Sequence, residues 1–229
     1  MQVVSVVIPN FNGMAYLDGV LSSLERQTIS NFEVILVDNG STDGSCAFVA
    51  AEYPWVHMIQ LPENYGFSRA VNEGIRVSRS PYVLLLNNDT EVKCDFLEEM
   101  VAALRRHKKA FSCQAKMIQF HDRDRMDDAG NYYCALGWAF ARGKGKDIDR
   151  YEKEQKIFST CAGAAIYRKK VLKRIGEFDE EHFAYLEDLD IGYRARIQGY
   201  ENWYAPKAKV YHVGSGTSGS RYNQFKIRY

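Results

Sequence analysis

No cysteine pair in this sequence has the C-x-x-C spacing. Its five cysteines, Cys46, Cys94, Cys113, Cys134 and Cys161, are scattered and odd in number. That excludes a disulfide framework or a zinc site and reads as buried or incidental thiols in a reducing compartment. No apolar run approaches the ~20 residues that span a bilayer. Neither sign of charge dominates: 30 Lys and Arg face 29 Asp and Glu, a formal net charge of +1. Nucleic acid as the main partner therefore has no electrostatic support. Internal repeats and low-complexity tracts are absent. The pattern G-x-x-x-x-G-K-[ST] is missing, which excludes a P-loop. The literal G-x-G-x-x-G from Gly214 to Gly219 stands too near the end of the chain for an acidic ribose ligand ~20 residues on, so a nicotinamide or flavin fold is excluded too. Met1 runs directly into strand-like sequence, and no signal peptide is expected. The sequons Asn39-Gly40-Ser41 and Asn88-Asp89-Thr90 are accordingly read as chance.

What is present is a chain of 229 residues, 46% apolar, enough for one large domain or one domain with a small lobe. Val3 to Ile8 is a β-branched run of strand length that Pro9-Asn10 stops. Leu17, Val20, Leu21 and Leu24 follow at helical spacing. Phe32 to Val37 is a second strand, ending on Asp38-Asn39-Gly40-Ser41-Thr42-Asp43-Gly44. Val56 to Leu61 is a third, and Asn64-Tyr65-Gly66-Phe67-Ser68 then turns into a helix. Tyr82 to Leu86 is a fourth apolar run, delivering Asn87-Asn88-Asp89 at its end. Alternating strands and helices imply right-handed crossovers and an α/β, doubly wound, mostly parallel sheet. All strand C-termini then face one crevice, where such sheets bind ligands. Asp38 and Asp89 come from different strands yet converge there, as a nucleotide-and-metal site requires.

After Asp95 the pattern changes. A helix to Leu104 closes on the basic run 105–109, and Phe111 to Phe120 is another strand. His121 to Lys156 is polar and irregular, which in a compact domain marks a functional loop region. The acidic pairs Asp122/Asp124 and Asp147/Asp149 within it read as solvated loop charges. Thr160 to Tyr167 is strand-like, Arg168 to Ile175 a short basic helix, and Lys209 to Val213 a last strand followed by a loop of mobile composition. Tyr222, Phe225 and Ile227 suggest a further helix. Glu187-Asp188-Leu189-Asp190 opens a helix, where the dipole favours acids. Three acids exceed what capping needs, and crowded carboxyls beside an apolar wall suit a general base. Asp190 has a structural use, pairing with Arg194 four residues on. Glu187 is expected to precede the helix proper. His212, alone in a strand, reads first as a satisfied core or surface histidine, but it lies next to the glycine-rich loop, as metal-site histidines on flexible closures can.

Several motifs, in order, resemble family 2 glycosyltransferases of the GT-A fold. They are Pro9-Asn10-Phe11-Asn12, Val37 to Asp43, Asn64-Tyr65-Gly66-Phe67, Asn87-Asn88-Asp89, Glu187-Asp188-Leu189-Asp190 and His212. Asp127-Asp128-Ala129-Gly130, Gly176-Glu177-Phe178-Asp179 and Pro206 to His212 are most similar to its rhamnosyltransferase-type branch. The resemblance implies one catalytic domain over 1–229, with a nucleotide-sugar half (1–95) and an acceptor half (96–229) forming a small lobe. It places Pro9, Phe11, Asp38, Gly66, Asn87 and Asn88 at a nucleoside diphosphate sugar. Asp89 and His212 would hold Mn²⁺ or Mg²⁺, and Asp188 would be the base of an inverting transfer, with Glu187 orienting a glycan or lipid-linked acceptor. Two positions depart from the pattern. Asn87 stands where the usual D-x-D begins, and Phe11 where relatives often carry Tyr. A bacterial cell-envelope role is implied, in the cytoplasm or at the inner face of the cytoplasmic membrane. Membrane association is expected to be peripheral at most, and relatives continuing past Tyr229 imply a truncated chain. The rival readings are a GT-A-like module that binds without turnover and a nucleotidyltransferase. The latter is disfavoured because Pro9 to Gly13 is not a Gly-rich basic loop.

Overall fold

The computed structural model describes residues 2–214. The Gly214–Gly219 run, apart from Gly214, and the helix expected around Phe225 lie outside the described residues. Strands β1 (Val4–Asn10), β2 (Phe32–Asn39), β3 (His57–Leu61) and β4 (Tyr82–Leu86) are parallel, in the spatial order β3-β2-β1-β4. Helices α1 (Met14–Glu25), α2 (Ser45–Glu52) and α3 (Phe67–Val77) cross between them.

The strand sequences explain this architecture. In β1, Val4, Val6 and Ile8 pack with Leu17, Val20, Leu21 and Leu24 of α1, while Val7 packs with Ala70, Val71 and Ile75 of α3 on the opposite face. β2 divides likewise, Val34 and Leu36 from Ile35 and Val37. Strands buried on both faces read as continuous apolar runs, because alternate side chains enter two different cores. Full burial of one such Val, Leu or Ile contributes roughly 1.5–3 kcal/mol.

Beyond β4 the sheet becomes mixed. β11 (Ala164–Arg168) is antiparallel to β4 and to β6 (Ala110–Gln119), and β6 is parallel to β12 (Glu201–His212). Short strands β5 (Thr90–Val92), β7 (Met126–Asp128) and β10 (Gln155–Ile157) attach to β12, β6 and β12. Helices α4 (Phe96–Arg106), α5 (Lys169–Ile175) and α6 (Glu187–Ile197) complete the layers.

Three expectations change in detail. The irregular stretch 121–156 contains β7, a separate two-stranded ribbon of β8 (Asn131–Tyr133) and β9 (Ala139–Ala141), and a 3₁₀ turn at Ile148–Tyr151. These strands are three residues each, too short for a periodicity to register. The last strand begins at Glu201, eight residues before the apolar Lys209–Val213 signal. The residues from Thr160 to Gly163 form a loop before β11. Among the described residues, no helix is long and apolar enough to cross a membrane.

Candidate active site

The ends of β1, β2 and β4 build one side of the site. Asn10 closes β1, and its side-chain amide donates to Asp38 Oδ1 at 2.9 Å. Asp38 Oδ2 accepts from the Ser41 backbone at 3.0 Å. Asn88, past β4, donates through Nδ2 to Asn10 Oδ1 at 2.8 Å. The three side chains form one buried chain across three strand ends. A Cβ on Gly13 would collide with the Asn88 and Asn10 amides, so glycine at the N-cap of α1 lets that chain close. Asn12, with φ of 49°, bonds the loop after β2 through both its backbone and its side chain. Pro9 pairs with Val37 in the parallel ladder, and Phe11 follows β1 half-buried.

His212 reaches the site through the sheet ladder. It ends β12, opposite Thr90 of β5, and the Val213 N–H donates to the Asp89 carbonyl. That register sets His212 Nε2 3.2 Å from Asp89 Oδ1 and 3.3 Å from Asn87 Nδ2. Its Nδ1 is 2.7 Å from Asp127 Oδ2. Burial works against the imidazolium, but hydrogen bonds to Asp127 and Asp89 outweigh it and raise His212 to about 9. Burial pushes the Asp127 carboxyl up, and His212 with Lys144 more than reverses that.

Asn87 links this cluster to the acids of α6. Its backbone N–H donates to the Gly163 carbonyl at 2.9 Å, and the neighbouring Ala162 N–H lies 3.4 Å from Asp188 Oδ2. Burial raises both carboxyls, Asp188 to about 6 and Glu187, with the Asp188 charge adding to it, to about 8. The two carboxyls titrate as a pair, each raising the cost of ionising the other. Glu187 Oε2 is buried without a hydrogen-bond partner, whereas Asp188 keeps part of its surface open. Glu187 is the first residue of α6, which corrects its expected place ahead of the helix. Tyr185 and Leu186, just before it, have φ of 74° and 68°. Left-handed backbone costs roughly 1–2 kcal/mol per residue for such side chains. A strained turn therefore aims the acids. Asp190 does pair with Arg194, at 2.7 Å.

Gly66 has a structural reason of its own. With φ of 88° it lies against Phe183, a Cβ there would strike the Phe183 carbonyl, and Phe67 N donates to that carbonyl at 2.6 Å. Gly66 thus anchors the loop leading to Glu187.

Sequence reasoning gave no role to Asp127, Asp128 or Asn131. Asp128 accepts from Gln114 at 2.7 Å and from the Gly130 N–H at 2.6 Å, and burial raises its carboxyl to about 7. The Asn131 side chain bonds to Asp188. The available signal was the apolar frame of Met126 and Ala129-Gly130 around two acids, all buried here. Asp122, Asp124, Asp147 and Asp149 are exposed, as solvated loop charges should be.

A divalent cation can be tested against these side chains. Asp127 occupies His212 Nδ1, leaving Nε2 directed at Asp89, the second-sphere arrangement that orients a metal-binding histidine. One carboxylate and one imidazole suit Mn²⁺ or Mg²⁺, with Mn²⁺ the better match to nitrogen. Among the described residues, no group of three or more His, Cys, Asp or Glu is placed to hold an ion. The donor set fits an ion whose remaining ligands come from a bound diphosphate and water.

Comparison with known proteins bears on the family and the fold. The model of glycosyl transferase family 2 matches residues 5–176. An N-acetylglucosaminyl-diphospho-decaprenol L-rhamnosyltransferase of Mycobacterium tuberculosis is 26% identical over 241 residues, covering 95% of this chain and 78% of that protein. GalNAc-T7, crystallised with UDP, GalNAc and Mn²⁺, superposes with a TM-score of 0.77 at 14% identity, over 93% of this chain and 44% of that one. S. aureus TarS gives a TM-score of 0.63 at 21% identity, over 90% and 37%. The chain spans less than half the length of these two solved structures. With three-quarters of its length matched by that family's model and its sheet shared with those structures, the chain belongs to glycosyl transferase family 2 and has the GT-A fold.

Proposed function

We propose that this domain catalyses metal-dependent, inverting transfer of a sugar from a nucleoside diphosphate to a hydroxyl of a glycan or lipid-linked acceptor. The observation that carries the reading is the short link from the strand ends to a partly open, high-pKa carboxyl, through Asn87, the 162–163 backbone and Asp188. The rhamnosyltransferase relative supports a lipid-linked acceptor, and the GalNAc-T7 complex supports a nucleotide sugar with Mn²⁺.

Asp38, Asn10 and Asn88 bind the nucleoside, with carboxylate and amides accepting and donating to its base and ribose, and Pro9 and Phe11 wall it. Asp89 and His212 hold the cation, which supplies charge stabilisation to the departing diphosphate. Asn87, beside His212, donates to the donor's oxygens. Asp188 takes the proton from the acceptor hydroxyl. That oxygen bonds to the anomeric carbon from the face opposite the diphosphate, and the carbon–oxygen bond to phosphate breaks with its electron pair leaving on the diphosphate. Glu187, its carboxyl raised by burial and by the Asp188 charge, orients the acceptor or tunes Asp188. Gly66 acts through Phe183 on the placement of that pair.

The rival reading, a module that binds nucleotide sugar without turnover, shares every binding residue. Screening a panel of nucleotide sugars with Mn²⁺ separates the two. Transfer predicts diphosphate release with one donor that rises on adding acceptor. Binding of a donor with no release refutes transfer.

A further inference from the structure

The β8–β9 ribbon leaves its apolar side chains in water. Tyr132, Tyr133, Leu136, Trp138 and Phe140 expose 54%, 42%, 85%, 66% and 51% of their surface. Register sets Tyr132 opposite Phe140, so the two share one face of the ribbon. Tyr133 points to the other face, where it stacks on Phe158 at 4.9 Å and approaches Tyr193 at 6.1 Å. The tip closes through Cys134 N to Trp138 O and Gly137 N to Cys134 O, which presents Leu136 and Trp138 outermost. Single exposed apolar residues need no explanation, but a contiguous group marks an interaction surface.

The charge around this patch selects its occupant. From Ala129 to Lys146 the chain carries Arg142, Lys144 and Lys146 and no acidic residue. Arg142 turns inward to the Ala129 carbonyl and Lys144 pairs with Asp127 at 3.2 Å, but the Lys144 and Lys146 side chains are exposed. Arg196, also exposed, lies over the Phe158 ring at 4.9 Å. An apolar, aromatic tip above a cationic base matches the boundary of an anionic bilayer. Leucine, phenylalanine and tryptophan enter the acyl edge, tyrosines sit at headgroup depth, and lysine and arginine meet lipid phosphates. A second copy fits less well, because a two-fold contact through the ribbon would bring its own cations together. The basic helix α5, the sequence's other membrane candidate, buries Val171, Leu172 and Ile175 and has no apolar face left to insert.

We infer that the β8–β9 ribbon docks the protein on an anionic bilayer with Leu136 and Trp138 inserted. Asn131 begins the ribbon, pairs with Ser159 and bonds to Asp188, so docking turns the proposed base toward the surface that presents the acceptor. In that purpose the inference rests on the lipid-linked acceptor proposed above.

The test uses the 229-residue chain and acceptor-free vesicles, one set of phosphatidylcholine alone and one with phosphatidylglycerol added. Wild type should co-sediment with the anionic set. Leu136→Ser combined with Phe140→Ser should lower the bound fraction at limiting lipid by about tenfold or more. Tryptophan emission should shift to the blue with those vesicles and be quenched by brominated acyl chains, and Trp138→Phe should remove that response. Unchanged melting temperature and nucleoside diphosphate affinity show that the variants are folded. Wild type left in the supernatant overturns the inference. So does equal binding by the double variant, which would move attachment to another surface such as α5. A dimer that the double variant converts to monomer, with vesicle binding unaltered, overturns it in favour of a second copy. Vesicle binding without diphosphate release from any donor would refute transfer and leave the docking standing.

Discussion

On the strand side of the site, Asp38 is held by Asn10 and by the Ser41 backbone, and Asn10 in turn by Asn88. On the helix side, Glu187 Oε2 is buried with no partner, and the turn before it puts Tyr185 and Leu186 in left-handed backbone. Where the strand side needs that conformation it uses Asn12, Gly40, Gly44 and Gly66, residues that tolerate it. One side is complete before any ligand arrives. The other stores strain and leaves a polar atom waiting. The contrast teaches a division of labour under the proposed function: mutually satisfied groups on the donor side, and a strained turn with one unsatisfied carboxyl oxygen on the side of the proposed base.

The strongest way to break the strand side is Asp89→Ala. With Asn87 in place of a second acid, the variant should lose transfer and also the enhancement of nucleoside diphosphate binding by Mn²⁺. Calorimetric titration with and without the ion checks both, and an unchanged enhancement removes Asp89 from the metal. Asp127→Asn should have a smaller effect, because Asp127 acts through His212. A loss of about 10–100-fold in metal-dependent diphosphate affinity is expected, with little change in affinity when the ion is absent. A melting-temperature drop with the metal response intact would make the pair purely structural.

Stability effects sharpen the comparison further. Asp128 is an acid raised to about 7 by burial, so its ionisation opposes folding as pH rises from its unfolded value through 7. Asn keeps an acceptor for Gln114 and Gly130 without the charge. Asp128→Asn should therefore gain roughly 1–3 kcal/mol at pH 8 and lose that advantage near pH 4. Urea titrations at the two pH values decide it, and a gain independent of pH contradicts the buried-charge explanation. The smallest effect belongs to Asp190→Asn. Its pair with Arg194 is about 30% exposed on both sides, and Arg194 also donates to the Ile175 and Glu177 carbonyls. A loss of about 0.5–1 kcal/mol is expected. Turnover should be unaffected at constant temperature, and a rate loss comparable to that of Asp188→Asn would contradict the structural role.

The two sides also differ in how far the sequence reveals them. Strands β1 to β4 are short apolar runs stopped by polar residues, and the parallel crossovers follow from their alternation with helices. Asp38 and Asp89 converge because every strand ends in the same crevice. Past Asp95 the logic is non-local. His212 meets Asp89 only because β5 returns antiparallel against β12, a pairing of three residues that no periodicity marks. Asp127 and Asp128 lie among the charged residues of an irregular stretch, and only burial by β6 and β12 separates them from Asp122 and Asp124. The left-handed turn at Tyr185-Leu186 has no glycine or asparagine to betray it. The β8–β9 ribbon carries a strand-like composition, but its exposure is a fact of packing that composition does not contain.

The central claim is that Asp188 takes the acceptor's proton while the strand side binds the donor independently. It is tested by Asp188→Asn, with turnover at saturating donor, acceptor and Mn²⁺ and diphosphate affinity measured on one preparation. In wild type, kcat should rise with pH through about 6, because the base works only after its raised carboxyl ionises. The variant should lose about 10²–10⁴ in kcat and the limb near pH 6, with diphosphate affinity within about twofold of wild type. Wild-type turnover in Asp188→Asn, with the pH limb retained, would contradict the account and pass the role to Glu187.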